Sequence, residues 1–162
     1  MRLSTTLCGV VFLGVSFVSD AQDLGVIGES KEDGQTVIYR FVDEYPSSEI
    51  RTTYSWLTVI SWKYDGSSRS GMPPDDINQN MIALEDAIEE SLEDKGLSRH
   101  AYSRTGNNLK EFAYYISDRD EWIDAFNKAL AGHPRYPIEI NFYKDQQWQD
   151  FQSILKLFNR NG

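Results

Sequence analysis

Residues 75–96 read DDINQNMIALEDAIEESLEDKG, and the way apolar and charged side chains alternate in this run decides how the chain folds. Ile77, Met81, Leu84, Ile88 and Leu92 recur at steps of four, three, four and four, so a helix places all of them on one face. Asp75 or Asp76 is positioned to cap the free N–H groups after Pro74, and Gly96 to close the last turn in the left-handed conformation. Such a helix needs an apolar surface to lie on, and the flanking segments have the period of strands.

Upstream, residues 36–42 (TVIYRFV) alternate Val37, Tyr39 and Phe41 against Ile38, Arg40 and Val42. Residues 53–64 are rich in β-branched and aromatic side chains, with Tyr54, Trp56, Ile60, Trp62 and Tyr64 on one side and Leu57 and Val59 on the other. Apolar residues on both faces mark a central strand. Downstream, residues 98–103 and 109–117 read as strands of a hairpin, because Thr105-Gly106-Asn107-Asn108 between them tolerates positive φ. A second helix over 118–131 brings Trp122, Phe126 and Leu130 together and ends at Gly132. A last strand over 136–143 begins with Tyr136-Pro137, and Asp145 opens a final helix striped by Trp148, Phe151, Leu155 and Phe158.

The predicted class is α+β. Strand, helix, strand, strand, helix, strand is the split βαβ pattern, and right-handed crossovers give a ferredoxin-like βαββαβ core: a four-stranded antiparallel sheet with its helices on one face. The strand at 36–42 is expected to extend an edge, and the C-terminal helix to cover part of the other face.

Arg2 followed by LCGVVFLGVSFV at residues 7–18 and the small exit Ser19-Asp20-Ala21 predicts a signal peptide over 1–21, cleaved near Ala21. The apolar run is shorter than the roughly 20 residues that span a bilayer, so no stable membrane anchor is expected. Cys8 lies early in that run and follows Leu7, which does not fit a lipidation site. The expected product is periplasmic or secreted. Residues 22–35 are polar and aperiodic and read as a flexible lead-in to one domain over 36–160. That domain has no cysteine, which removes thiol catalysis and cysteine-ligated metals. With 25 acidic against 16 basic side chains, the chain repels nucleic acid and favours a protein partner with a basic surface.

Arg51-Thr52-Thr53, Trp62, Gly71-Met72-Pro73, Leu84-Glu85-Asp86, Thr105-Gly106, Tyr136-Pro137-Ile138 and Asp145 with Trp148 form an ordered set. The set resembles the bacterial domain-of-unknown-function family 695 over residues 50–151. Two positions depart from the family pattern: Phe112 stands where the family favours Trp, and Asp145-Gln146 where it favours Asp-Pro. The resemblance implies a fold and no established activity. A more distant likeness, in fold and charge alone, is to ribonuclease regulators that act by binding an enzyme.

No nucleophile turn, phosphate loop, dinucleotide fingerprint or zinc-ligand spacing is present, and His100 and His133 lie far apart. No catalytic residue, metal site or cofactor is therefore assigned. Glu85 with Glu89 and Asp86 with Glu90 fall side by side on the first long helix, as they would on a solvated helix face. The loop at 65–74 is long enough to carry function. Asp65, Arg69 and Met72 from it, Trp62 and Tyr64 before it, Glu85, and the sheet aromatics Tyr115 and Tyr143 are the candidate binding residues. The alternative for Met72 and Pro73 is that they tuck under the sheet, and for the aromatics that the last helix covers them. The resulting reading is a non-enzymatic exported binding module. The alternative, a carboxylate-dependent hydrolase of the cell envelope, requires a pocket that unites two carboxylates, or one carboxylate with His100.

Overall fold

The computed structural model describes residues 25–160, so the segment read as a signal peptide lies outside the described residues. The chain is mixed α and β, with one antiparallel six-stranded sheet and four α-helices. In chain order the elements are β1 (Val26–Glu32), β2 (Gln35–Phe41), α1 (Ser48–Thr53), β3 (Trp56–Lys63), α2 (Asp75–Ile88), β4 (Ser98–Gly106), β5 (Leu109–Ile116), α3 (Arg119–Ala129), β6 (Ile138–Lys144) and α4 (Gln149–Leu157). The sheet runs β1-β2-β4-β5-β3-β6.

This sheet is larger than the four strands and one edge strand expected. The additional strand is β1, in the stretch read as a flexible lead-in; it pairs with β2 from Val26↔Phe41 to Glu32↔Gln35 and takes over the edge. Its inward positions include Gly28 and Ser30, so it lacks apolar alternation. Gly28 is small for a reason, because a Cβ there would enter the ring of Phe158. The start of the predicted 53–64 strand also differs. Residues 48–53 form α1, capped by Ser47, while the hydroxyls of Thr52 and Thr53 bond back to the carbonyls of Ser48 and Glu49.

Helices α2 and α3 lie on one face, where Met81, Leu84, Ile88, Leu92, Trp122 and Phe126 pack on Ile60, Trp62, Phe112, Tyr114 and Ile116. On the opposite face Trp148, Phe151 and Leu155 pack on Phe41, Leu57, Tyr102, Ala113 and Tyr115. The predicted Asp cap of α2 is replaced: Pro74 occupies the cap position, and Asp75 instead pairs with Arg69 at 2.6 and 2.9 Å. Gly96 does take positive φ (+71°), whereas Gly132 is not among the positive-φ glycines.

The position of α4 is set by one group of contacts. Asp145 accepts from the N–H groups of Gln149 (2.8 Å) and Asp150 (3.0 Å), filling the open N-terminus of the helix, and from the Tyr115 hydroxyl at 2.6 Å. Trp148 stacks on the Tyr115 ring at 3.7 Å with an interplanar angle of 6°, and its indole N–H donates to the Tyr54 carbonyl at 2.8 Å. Trp148 adopts φ +53° in this arrangement, a conformation costly for a bulky side chain and held here by its surroundings. Substituting Trp148→Ala leaves a ring-sized void and an open Tyr54 carbonyl, so it should cost about 3–5 kcal/mol in urea unfolding. A midpoint close to that of the unaltered chain would contradict this role.

Candidate functional site

At the end of α2 the helix widens. Asp94 N–H bonds to the Glu89 carbonyl at 3.0 Å and Leu97 N–H to the Leu92 carbonyl at 2.8 Å, so Glu89–Glu93 form a π-helical turn. Beside it, β4 is irregular too, with a register shift between His100 and Tyr102. Interrupted helices and bulged strands recur next to functional sites. Between these two irregularities lies a cleft of about 660 Å³.

One wall is acidic, since Glu85, Glu89, Glu93 and Asp94 all come from α2 and its extension. The floor is β4, where Ser98 lies opposite Ile116 and His100 opposite Tyr114, so both side chains share the face that α2 covers. Arg40 from β2 reaches across to pair with Glu85, and Arg99 sits over the Tyr54 ring at 5.1 Å. Gly25, Val42, Tyr54 and Gly96 complete the lining.

Burial dominates the electrostatics. Removal from water, with Glu89 and Glu85 adding like charge, pushes the Glu93 carboxyl up to about 7; the His100 backbone N–H and Arg40 offset this in part. Burial pushes His100 down to about 3, helped by Arg40 and Lys110, so its imidazole is neutral at physiological pH. Ser98 Oγ, His100 Nε2 and the Tyr114 hydroxyl are buried without hydrogen-bond partners. An unsatisfied buried polar atom of this kind costs about 1–3 kcal/mol. Ser98 and His100 line the floor, and their unpartnered atoms form an arrangement that a ligand can complete; Tyr114 stands opposite His100 on β5 and is not part of the lining. Among the described residues, no group of three or more His, Cys, Asp or Glu is placed to hold a metal ion.

Of the candidate binding residues named from the sequence, only Glu85 lines this cleft; Glu89, read as part of a solvated helix face, and His100, named for the hydrolase alternative, line it as well. Trp62 is buried beneath the helices, with Tyr136 tilted against it at 5.1 Å. Tyr64 donates its hydroxyl to the Gly71 carbonyl at 2.9 Å. Asp65 accepts from Ser67 N–H at 3.0 Å and is exposed, Arg69 is held by Asp75, and Met72 is half-buried beside the buried Pro73. Tyr115 lies under Trp148, while Tyr143, 52% exposed, stands on the α4 side of edge strand β6. The 65–74 loop is tied to the β4–β5 turn: Gly66 N–H donates to the Asn108 side chain at 2.9 Å and Asn108 N–H to the Gly71 carbonyl at 3.0 Å. A Cβ on Gly66 would stand 2.6 Å from the Met72 carbonyl, so the loop packs too closely there for a side chain.

The chain matches the model of a family described as a family of unknown function, DUF695, over residues 29–156. It belongs to that family. The match begins within β1 and ends within α4, so the DUF695 region takes in the end of β1, the other five strands and most of both cores. Several residues that carried the resemblance have structural duties, including Asp145 and Trp148 at the start of α4, Gly71 against the hairpin turn, and Thr105-Gly106 leading into that turn. Glu85, which with Leu84 and Asp86 carried the resemblance, faces the cleft. No match is found among the curated proteins. No helix of the described residues is long and apolar enough to cross a membrane.

The raised Glu93 carboxyl has a consequence for stability. Its ordinary value of 4.5 applies when the chain is unfolded and about 7 when folded, so the folded form holds the proton more tightly and stability is lost as pH rises through that window. Glu93→Gln should therefore raise unfolding stability by about 2 kcal/mol above neutral pH, and the gain should vanish near pH 4, where both side chains are uncharged. Thermal melts across the pH range read this directly; a constant difference between the two proteins would overturn the assignment.

Proposed function

We propose that the chain is an exported, non-enzymatic binding module, released by cleavage near Ala21, that takes a basic segment of a protein partner into the acidic cleft. The observation that carries this reading is the cleft wall, in which four carboxylates from one helix and its extension line a concavity of about 660 Å³ and face unpartnered polar atoms. Among the described residues, Arg40 engages Glu85, while Glu89, Glu93 and Asp94 enter no ion pair. A basic partner supplies the missing charge and is steered to the site by the net charge of −9. For the scaffold, the consecutive order β4-β5-β3-β6 with α2 and α3 on one face supports a ferredoxin-like core, to which β1, β2 and α4 are additions.

One observation favours a second reading. The cleft unites Glu93 with His100, as the hydrolase alternative requires, and a carboxyl near pH 7 suits a general acid. Paired-carboxylate hydrolysis, however, places its two groups on opposite sides of the scissile bond. Here every carboxylate stands on the same wall, and the opposite side offers Arg40, Arg99, Ser98 and His100. Binding is therefore the better-supported reading.

Glu89→Lys with Asp94→Lys reverses two exposed carboxylates of the cleft without disturbing the Arg40–Glu85 pair. Capture of a basic partner from an envelope or secreted fraction, identified and then titrated with the purified chain, should weaken at least about tenfold in this double variant and fall with rising salt. Undiminished capture would remove the cleft from the interface. Turnover of a glycoside or ester panel that disappears in Glu93→Gln would decide for the hydrolase.

A further inference from the structure

We infer that the cleft is a primary-ammonium site, in which Glu93, Ser98 and His100 receive the Nζ of a lysine side chain. This rests on the binding reading above and specifies the group that the partner inserts.

The argument begins with what the floor lacks. Ser98 is 2% exposed and its Oγ has no hydrogen-bond partner, and Nε2 of His100 is equally closed off and unpartnered. The two residues are separated by one position on β4 and face the same side, so their Cα atoms lie roughly 7 Å apart along the strand and both side chains project toward α2. Glu93 faces them from the π-helical turn, within range of the His100 backbone N–H. A neutral imidazole with its proton on Nδ1 presents Nε2 as an acceptor, a hydroxyl presents lone pairs, and a carboxylate accepts only. The set therefore consists of three separate acceptors around a negatively charged space.

An alkylammonium group carries three N–H donors and no acceptor, which is the complement of that set. A guanidinium is planar and rigid and favours a two-pronged carboxylate, and the cleft already holds two of them, Arg40 on Glu85 and Arg99 over Tyr54. The acceptors left open are single points rather than a fork. Val42 and the Tyr54 ring provide apolar wall for the methylene stem of a lysine.

Occupancy is coupled to a proton. The groups around Glu93 are Glu85, Glu89 and Asp94 on its own helix and extension, Arg40 from β2, Arg99 and His100 from β4, and Lys110 and Tyr114 from β5. His100 stays neutral near pH 7, and Glu93 must ionise to pair with an ammonium. Binding should therefore strengthen as pH rises through 7, with release of a proton.

The test is calorimetric titration of the chain from Gln22 onward with Nα-acetyl-lysine methylamide, alongside the arginine and norleucine analogues. The lysine probe should bind at least about tenfold tighter than the arginine probe, with norleucine silent. Its affinity should rise about tenfold between pH 6 and 8. Glu93→Gln should remove both the binding and the pH slope. Ser98→Ala, which keeps the charge, should weaken binding severalfold, and Glu90→Gln, on an exposed residue outside the cleft, should change nothing. An arginine probe that binds as well as lysine overturns the assignment, as does saturable lysine binding that survives Glu93→Gln in a folded protein. If the lysine probe fails while charge reversal at Glu89 and Asp94 still abolishes partner capture, the ammonium site is wrong and the binding module stands; if both fail, both readings fall.

Discussion

The structure depends on the burial of β5 on both faces. Phe112, Ala113, Tyr114, Tyr115 and Ile116 are consecutive and all buried, and they point alternately into two separate cores. A strand with no solvent face must have a layer on each side. Two helices between strands supply one layer, and the chain must return after its last strand to supply the other. Asp145 and Trp148 make that return definite. The carboxylate fills the helix N-terminus and receives the Tyr115 hydroxyl, while the indole lies flat on the same tyrosine. A single β5 residue thus orients α4 by its ring and by its hydroxyl.

Much of this architecture could be read from the sequence because the decisive residues repeat at short intervals. The α2 stripe follows from five apolar side chains, and the β4–β5 turn from Asn107-Asn108, both of which take positive φ. The family was legible too, from motifs whose structural duties explain their order along the chain. What escaped reading had no apolar period. Strand β1 turns Gly28 and Ser30 inward, although Asp33-Gly34 after it, also at positive φ, is a strong hairpin signal. Helix α1 hides behind Thr52 and Thr53, whose β-branched side chains favour strand unless their hydroxyls bond back to the helix.

The cleft was less legible than the fold, for a different reason. Glu85, Glu89 and Glu93 at steps of four look like the solvated side of an amphipathic helix, and for Glu89 that description holds. Glu93 is different because β4 runs beside the π-helical turn and excludes water from its carboxyl. Ser98 and His100 carry no motif at all; their lack of partners becomes visible only when strand and helix are placed together. A helical widening has no reliable sequence signature, so the segment that shapes the site is the part that pattern reading treats as ordinary helix.

The place of Phe158 gives the fold a direction in time. Its ring stacks on Phe41 at 5.0 Å, meets Tyr39 edge-on at 5.4 Å and fills the space above Gly28. The first strand pair described therefore finishes its packing against the side chain that closes α4. During synthesis the β1–β2 hairpin emerges early, yet both its neighbour β4 and its cover arrive much later, so its long-range contacts close late. A chain built this way closes its second core late, and the aromatic surface of its first hairpin stays open until α4 has been laid over it.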